Sequence, residues 1–382
     1  MRIAYVLTSL GVGGAEKQVI ALAERMKARG HQVLLVVLLG RQSEEWATLL
    51  DVIHLDLQKT PARLWAGFGK LCRSLRGFHP ELIHSHTFPA NMAARLYRLF
   101  SRRAPVISTI HNVYEGGWWR MKAYRFSDGL SRVMTAVSQA ASERYVRLKA
   151  VPAGKMRVVT NGIDTAEFAP DIARRARIRE EMGFGDEFVW MAAGRLVPAK
   201  DYPNLLRGFA RARVKFPATQ LIIAGEITGS AAQSVQSLAI ELGLHEYVRW
   251  LGLRRDMTAL LDASDGFVLA SAWEGMPLVV GEAMAMEKPV VSTDVGGVRE
   301  LVGECASVVP AKDSEALAEA MLSTMRTTLE ARASLGGRAR RRIQDQFNID
   351  KKADEWEVLY QTILGCEVSL GAAVSSTAFY GR

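Results

Sequence analysis

Short apolar runs alternate with helical patterns twice along this chain of 382 residues, and that alternation leaves little choice of fold. In the first array the runs fall at residues 2–8, 32–39, 52–55, 81–85, 105–110 and 132–137, with another near Arg157 to Val159. Helical patterns such as Ala15 to Arg29 and Pro61 to Arg76 fill most of the gaps. The second array has runs near 187–193, 219–224, 247–251, 266–271, 289–292 and 306–309. Long helical patterns follow, from Asp313 to Phe347 and from Asp350 to Leu364. Strands that alternate with helices form parallel sheets covered on both faces. Two arrays predict two α/β domains, at 1–165 and 166–349, with the polar stretch Asn161 to Gly185 as the linker region. The helix at about 350–365 is expected to fold back onto the first domain, and 366–382 to be a frayed tail.

Ligands of open parallel sheets bind at the carboxyl ends of the strands. In the second array the run Gly266 to Ala270 leads into Glu274-Gly275-Met276-Pro277-Leu278-Val279-Val280-Gly281-Glu282. Two carboxylates thus stand eight positions apart around a Gly-x-Pro turn. That arrangement suits a polyhydroxyl ligand, although acids also enrich the first turns of ordinary helices. Another strand-to-helix loop, after Val189 to Ala193, carries Arg195 and Lys200. Arginine grips a planar anion by a fork of donors and lysine acts as a point charge, and a helix start close by favours the same anion. In the first array, Gly11, Gly13 and Gly14 lie between a strand and a helix, where backbone N–H groups can approach a phosphate. The spacing is not G-x-G-x-x-G, and the second strand ends in Leu39-Gly40-Arg41 rather than an acid, so a dinucleotide site is not indicated.

These stretches, taken in order, resemble the retaining glycosyltransferases of family 4. The matching segments are Gly13-Gly14-Ala15-Glu16, Ile110-His111-Asn112, Asn161-Gly162-Ile163-Asp164, Gly194-Arg195 with Lys200-Asp201, Glu274 through Glu282, and Asp294 to Val298 with Glu300. The resemblance covers roughly residues 1 to 365. Its departures are Ala199 and Asp201 around Lys200, where many relatives have glycine. It implies the GT-B fold, two Rossmann-like domains facing each other across a cleft. It further implies transfer of a sugar from a nucleoside diphosphate to an acceptor hydroxyl with the anomeric configuration kept. The implied catalytic residues are His111, beside the donor sugar, and Glu274, which would orient that sugar. The implied donor site is Gly13, Gly14, Arg195, Lys200, the segment Gly275, Met276, Pro277 and Leu278, and Glu282, which would accept the ribose hydroxyls. Arg254, at another strand end, could flank the base. His84, His86 and Asn161 are weaker candidates on the acceptor side. UDP-sugar is expected before GDP-sugar.

No cofactor or metal is expected. His84 and His86, at i and i+2 of a strand, point the same way but lack a third ligand, and no Asp-x-Asp is present to hold a cation on a diphosphate. Cys72, Cys305 and Cys366 show no zinc or disulfide spacing, which fits a cytoplasmic protein. The beginning Met1 to Leu7 reads as a first strand rather than a signal peptide, and no apolar run reaches the ~18 residues that span a bilayer.

Charge is unevenly spread: residues 1–165 hold 24 Lys and Arg against 11 Asp and Glu, a net +13, within a whole chain of +9. The first half therefore points to an anionic partner. Aromatics stand among cations in Trp118-Trp119-Arg120-Met121-Lys122-Ala123-Tyr124-Arg125, which suits an anionic membrane surface at the inner face of the cytoplasmic membrane. The other reading of that stretch is an amphipathic helix with its tryptophans packed inside. No nucleic-acid motif accompanies the charge. The expected acceptor is a saccharide or lipid-linked saccharide in bacterial surface glycan assembly. Two other functions stay open: an epimerase or phosphorylase of the same fold, and a non-catalytic nucleotide-binding scaffold.

Overall fold

In the computed structural model, residues 1–11, 13–40, 50–57 and 60–365 are described. Val12 of the glycine loop, Arg41, Cys366 and the expected tail lie outside the described residues. The first sheet contains β1 (Arg2–Leu7), β2 (Gln32–Val37), β3 (Asp51–His54), β4 (Leu82–His86), β5 (Val106–Ile110), β6 (Val133–Ala136) and β7 (Met156–Val158). Their order is β3-β2-β1-β4-β5-β6-β7, and every pairing is parallel. The second contains β8 (Phe188–Ala193), β9 (Thr219–Ala224), β10 (Val248–Gly252), β11 (Gly266–Leu269), β12 (Val290–Thr293) and β13 (Ser307–Val309). It is also all-parallel, ordered β10-β9-β8-β11-β12-β13. Each is a doubly wound Rossmann-like sheet that begins at its centre and reverses direction once.

The helices of the first array are α1 (Gly14–Ala28), α2 (Pro61–Phe78), α3 (Phe88–Phe100), α4 (Trp118–Phe126) and α5 (Gln139–Arg147). The second array adds α6 (Ile172–Glu181), α7 (Tyr202–Lys215), α8 (Gly229–Glu241), α9 (Met257–Ala263), α10 (Leu278–Ala285), α11 (Val298–Val302), α12 (Ser314–Arg326), α13 (Leu329–Gln346) and α14 (Ile349–Leu364). The helical pattern expected across 313–347 is two helices, because the Thr328 side chain caps the start of α13 by accepting from the Ala331 N–H.

Strand residues alternate between two cores. Ile3, Tyr5 and Leu7 point to the side covered by α1, while Ala4 and Val6 point to the side covered by α2 and α3. In the second sheet Val189, Met191 and Ala193 take one side and Phe188, Trp190 and Ala192 the other. Gly266 makes room for that tryptophan: a Cβ there would stand 2.7 Å from the Trp190 ring.

The face of β1 under α1 is completed by α14, whose Ala353, Trp356 and Tyr360 enter the same core. The Tyr360 hydroxyl meets the Tyr5 hydroxyl at 3.1 Å and the His84 ring nitrogen Nδ1 at 2.7 Å. Outside that core Arg29 bridges Asp354 at 2.7 Å and Glu357 at 2.9 Å.

The expected linker at 161–185 needs correction, because it contains α6, packed on α9. One face of its charge-rich run is paired rather than solvated, while Arg177, Glu180 and Glu181 stay exposed. Arg174 holds Asp262, and Arg175 and Arg179 both hold Asp265. These arginines fasten the segment to the turn before β11, which a count of charges reads as surface.

Candidate active site

The carboxyl ends of the two sheets meet along three loops. Asn112, after β5, forms an isolated antiparallel bridge with Gly275, after β11. The Gly297 N–H, after β12, donates to the Gly275 carbonyl at 2.7 Å. No side chain fits between these backbones. A Cβ on Gly275 would stand 2.0 Å from the His111 carbonyl oxygen, and one on Gly296 2.1 Å from that of Glu274. Gly296 also has a φ of 54°, which glycine adopts without strain. A Cβ on Gly297 would meet Ser138 at 2.6 Å. The seam therefore needs glycine at each of the three positions.

Glu274 projects from this seam. Its Oε1 accepts from the Ser271 hydroxyl at 2.7 Å and pairs with Lys200 Nζ at 2.7 Å. Lys200 arrives by a short helical turn after β8, and its stem lies over Gly194, where a Cβ would stand 2.7 Å from Lys200 Cε. Asp201 adopts φ 44° and ψ 49° and caps α7 by accepting from the Asn204 N–H. Aspartate tolerates that conformation, and the cap offsets part of its cost. Arg195 is exposed and stands in the electrostatic field of Glu16. Burial raises the Glu16 carboxyl, and the Ser9 hydroxyl donates to it at 3.3 Å.

Glu282, one turn into α10, is 4 % exposed. Its Oε1 faces Lys17 Nζ at 3.7 Å, and its Oε2 has no partner. Burial pushes its carboxyl above the usual range. The starts of α1 and α10 approach each other: Gly14 lies 3.6 Å from Leu278, measured from its would-be Cβ, and Lys17 faces Glu282. Both helix N-termini open toward the same end of the cleft, which favours an anion there. Gly13 caps α1, and the carboxylate of Glu16 folds back against it. Met276, Pro277 and Leu278 are buried, and the Met276 carbonyl accepts from Asn161 Nδ2 at 3.0 Å. Asn161 is thus a tie between the two halves. The adjacent Gly162 N–H donates to Gln18 Oε1 at 3.0 Å.

His111 follows β5 as expected, and its Nε2 hydrogen-bonds His86 Nδ1 at 3.0 Å. Burial lowers the His111 imidazole from 6.5 to about 4, so it is neutral near pH 7. His84 and His86 do point the same way, with ring centroids 4.0 Å apart. The expectation that His84 lines the acceptor cleft is overturned. It is fully buried; its Nδ1 meets Tyr360 and its Nε2 meets the Thr109 hydroxyl, each at 2.7 Å. His86 stands one layer nearer the cleft, beside a small pocket with Gln18, Thr160, Asn161 and Trp356 that has room for about one water molecule.

Arg254 is not brought to this cluster by any contact among the described residues. It forks onto its neighbour Asp256, at 2.8 Å for Nε, on the loop after the edge strand β10. Three residues were missed by the sequence reading. Lys17 and Gln18 stand three and four positions after Gly14, on the helix face that meets the second half, and that spacing was the available signal. Glu115 is the third. Its carboxylate accepts from the His111 N–H at 3.1 Å and from the Tyr124 hydroxyl at 3.0 Å, and burial pushes it up to about 7.

Outside the cleft, α4 presents Trp118 and Trp119 at 71 % and 53 % exposure while Tyr124 faces the core. The reading in which both tryptophans pack inside does not hold. Lys122 Nζ lies 4.6 Å over the Trp118 ring. No helix among the described residues is long and apolar enough to cross a membrane. No group of three metal-ligating side chains forms among the described residues.

Two Rossmann-like sheets that face each other across their carboxyl edges are the GT-B architecture. The family model described as Glycosyltransferase Family 4 matches residues 12–167, and that described as Glycosyl transferases group 1 matches 187–327. The glycosyltransferase EpsD of Bacillus subtilis is 29% identical over 66% of this chain and 69% of its own length. The GDP-mannose-dependent alpha-(1-6)-phosphatidylinositol monomannoside mannosyltransferase of Mycolicibacterium smegmatis is 31% identical over 56% of this chain and 59% of its own. HepE of Anabaena, solved with UDP and glucose, superposes with a TM-score of 0.83 at 21% identity, covering 95% of this chain and 100% of that one. The chain belongs to glycosyltransferase family 4, the group 1 glycosyltransferases.

Proposed function

We propose that this protein is a retaining hexosyltransferase that takes its sugar from a nucleoside diphosphate, UDP before GDP. The acceptor hydroxyl belongs to a lipid-linked or growing bacterial surface glycan. The observation that carries the reading is the contact of Lys200 with Glu274 beside two converging helix N-termini, with exposed Arg195 on the same loop as Lys200. A diphosphate leaving group needs fixed positive charge where its negative charge develops. Arg195, Lys200 and the starts of α1 and α10 would supply it without a metal, so activity should persist in EDTA. Glu282 would take the ribose diol on its two oxygens. Glu274 would hold the transferred sugar, with neutral His111 opposite it and the backbone of Gly275 to Leu278 along the donor. Arg254 would border the base. In the family mechanism the acceptor attacks on the face the diphosphate leaves, and the departing phosphate takes its proton. The unit 1–165 would receive the acceptor and 166–349 the nucleotide sugar.

UDP in HepE and GDP-mannose in the mycobacterial relative are both represented among similar proteins. The exposed tryptophans and basic first half support work at an anionic membrane face, at the cytoplasmic side. The test is a thermal-shift panel of UDP, GDP and ADP, since a bound ligand raises the melting point by mass action. NMR assignment of the product anomer formed on lipid-linked acceptors follows. Glu282→Gln should chiefly weaken nucleotide binding and Glu274→Gln chiefly lower kcat. No shift with any nucleoside diphosphate, or an inverted product, overturns the reading.

A further inference from the structure

Lys17 belongs to neither the glycine loop nor the cation pair of the second half, yet it is the residue that answers Glu282. Glu282 is almost wholly enclosed, one of its oxygens has no partner, and the other has the Lys17 ammonium at 3.7 Å. That separation is an ion pair rather than a close hydrogen bond. The two members differ in freedom. The carboxylate is fixed on α10, whereas the Lys17 side chain is 34 % exposed on a flexible four-carbon stem. The Lys17 charge also acts on the Glu167 carboxyl. Lys17 lies one turn inside α1, whose start meets that of α10 at Gly14 and Leu278. The same helix ends are where the diphosphate is proposed to sit.

We propose that Lys17 is an exchange cation of the donor site: it leaves Glu282 to the ribose diol and transfers its charge to the donor diphosphate. The proposal rests on the nucleotide-sugar reading above and deepens it. A diol donates two hydrogen bonds and fills both oxygens of Glu282. An ammonium on one of those oxygens competes with it. A diphosphate gives the ammonium a doubly charged partner in return, with charge-assisted hydrogen bonds. Lys17 would then be the cation that the first half contributes to a site otherwise charged from the second. It would couple the approach of the halves to the presence of the diphosphate rather than of the nucleoside.

Competition predicts effects of opposite sign, which a structural ion pair cannot produce. Calorimetric titrations of uridine and of UDP into wild type and Lys17→Met are compared in one buffer. Uridine should bind the variant more tightly than the wild type, and UDP about tenfold more weakly, the usual weight of one charged hydrogen bond; unchanged uridine binding would show that Lys17 does not compete for Glu282 and overturn the proposal. Lys17→Arg should recover most of the UDP affinity. Should the wild type take GDP instead, guanosine and GDP give the same comparison. Equal losses for nucleoside and diphosphate would mean a structural bridge and overturn the proposal, as would no change in either. If Lys17→Met misfolds, Lys17→Gln carries the measurement. Failure of the wild type to bind any nucleoside diphosphate is a separate result, which sinks the nucleotide-sugar reading itself.

Discussion

The strand ends of the two sheets treat their polar residues in opposite ways. In the first sheet His84, Thr109 and Thr135 turn inward and hydrogen-bond in a chain that reaches α14 at Tyr360, while buried His86 hydrogen-bonds His111. In the second sheet Lys200 and Glu274 remain part-exposed, and Arg195 is exposed. One side resembles a rigid polar core, the other an open charged rim. The difference follows from what burial costs each group. A neutral imidazole needs only hydrogen-bond partners, whereas a guanidinium or ammonium taken out of water needs a paired charge as well. The first side can therefore set position, and the second can respond to an anionic ligand.

The sharpest way to break this comparison is to wedge the two sides apart. Gly275→Val would drive a side chain into the His111 carbonyl. Activity should fall by about 100-fold or more, the scale of a 1 Å misplacement. The far-UV circular dichroism of the whole chain should stay close to wild type, and full activity in Gly275→Val would show that the seam is not needed.

Next in size are the rim charges. Lys200→Ala and Arg195→Ala should each cost ~2–4 kcal/mol in kcat/KM and leave the melting temperature nearly unchanged, because preorganised charge serves the transition state. Near-wild-type kcat/KM in both would remove them from the chemistry.

The core side should answer to pH instead. Glu115 has its folded value raised from 4.5 to about 7, so the native state holds a proton the unfolded chain has released, and stability falls as pH rises through that window. His111 is lowered from 6.5 to about 4, so its contribution runs the other way and stability rises between those values. His84 and His86 are lowered by burial in the same direction, so Glu115 offsets only part of the histidine slope. Glu115→Gln should uncover the combined histidine slope, with stability rising toward neutrality by about 2 kcal/mol or more. A denaturant series across pH reads this directly, and identical pH curves for variant and wild type would show that Glu115 does not titrate in the fold.

The smallest effect lies outside the cleft. Wild type should sediment with anionic vesicles and less with neutral ones, more weakly as salt rises. Replacing Arg120, Lys122 and Arg125 by Ser should cost ~1 kcal/mol per cation at most. Trp118→Ala should reduce vesicle binding without changing the melting temperature, because the ring is mostly exposed. Unchanged binding would leave the basic half in want of another partner.

Legibility in the sequence followed the same division. Apolar runs placed the strands to within one or two residues because parallel strands buried on both faces must be continuously apolar. Glu274, Arg195 and Lys200 could be placed in loops after strands and Glu282 near the start of the next helix, and they lie there, because local order along the chain decides it. His84 misled because its surroundings depend on Tyr360, brought from the far end of the chain. The α6 arginines misled for a similar reason: their acids, Asp262 at the end of α9 and Asp265 in the turn after it, lie more than 80 residues further along the chain. Lys17 was hidden in a helix whose relevant face is defined only by its neighbour α10.

The return of α14 also has a consequence for how the molecule is made. Synthesis runs from the first residue to the last at about 5–20 residues per second, and N-terminal domains usually fold as they emerge. Here the first sheet is finished at β7, but its covering helix begins only at Ile349. Roughly 200 residues, or about 10–40 s of translation, separate the end of β7 from Tyr360. During that interval Tyr5, Leu7 and His84 have no Trp356 or Tyr360 above them. The nascent first half is thus an unfinished body that needs shielding, and its completion is timed by the other half's synthesis. A chain stopped at Asn348 would contain every residue of the candidate site and still lack the cover for its oldest core.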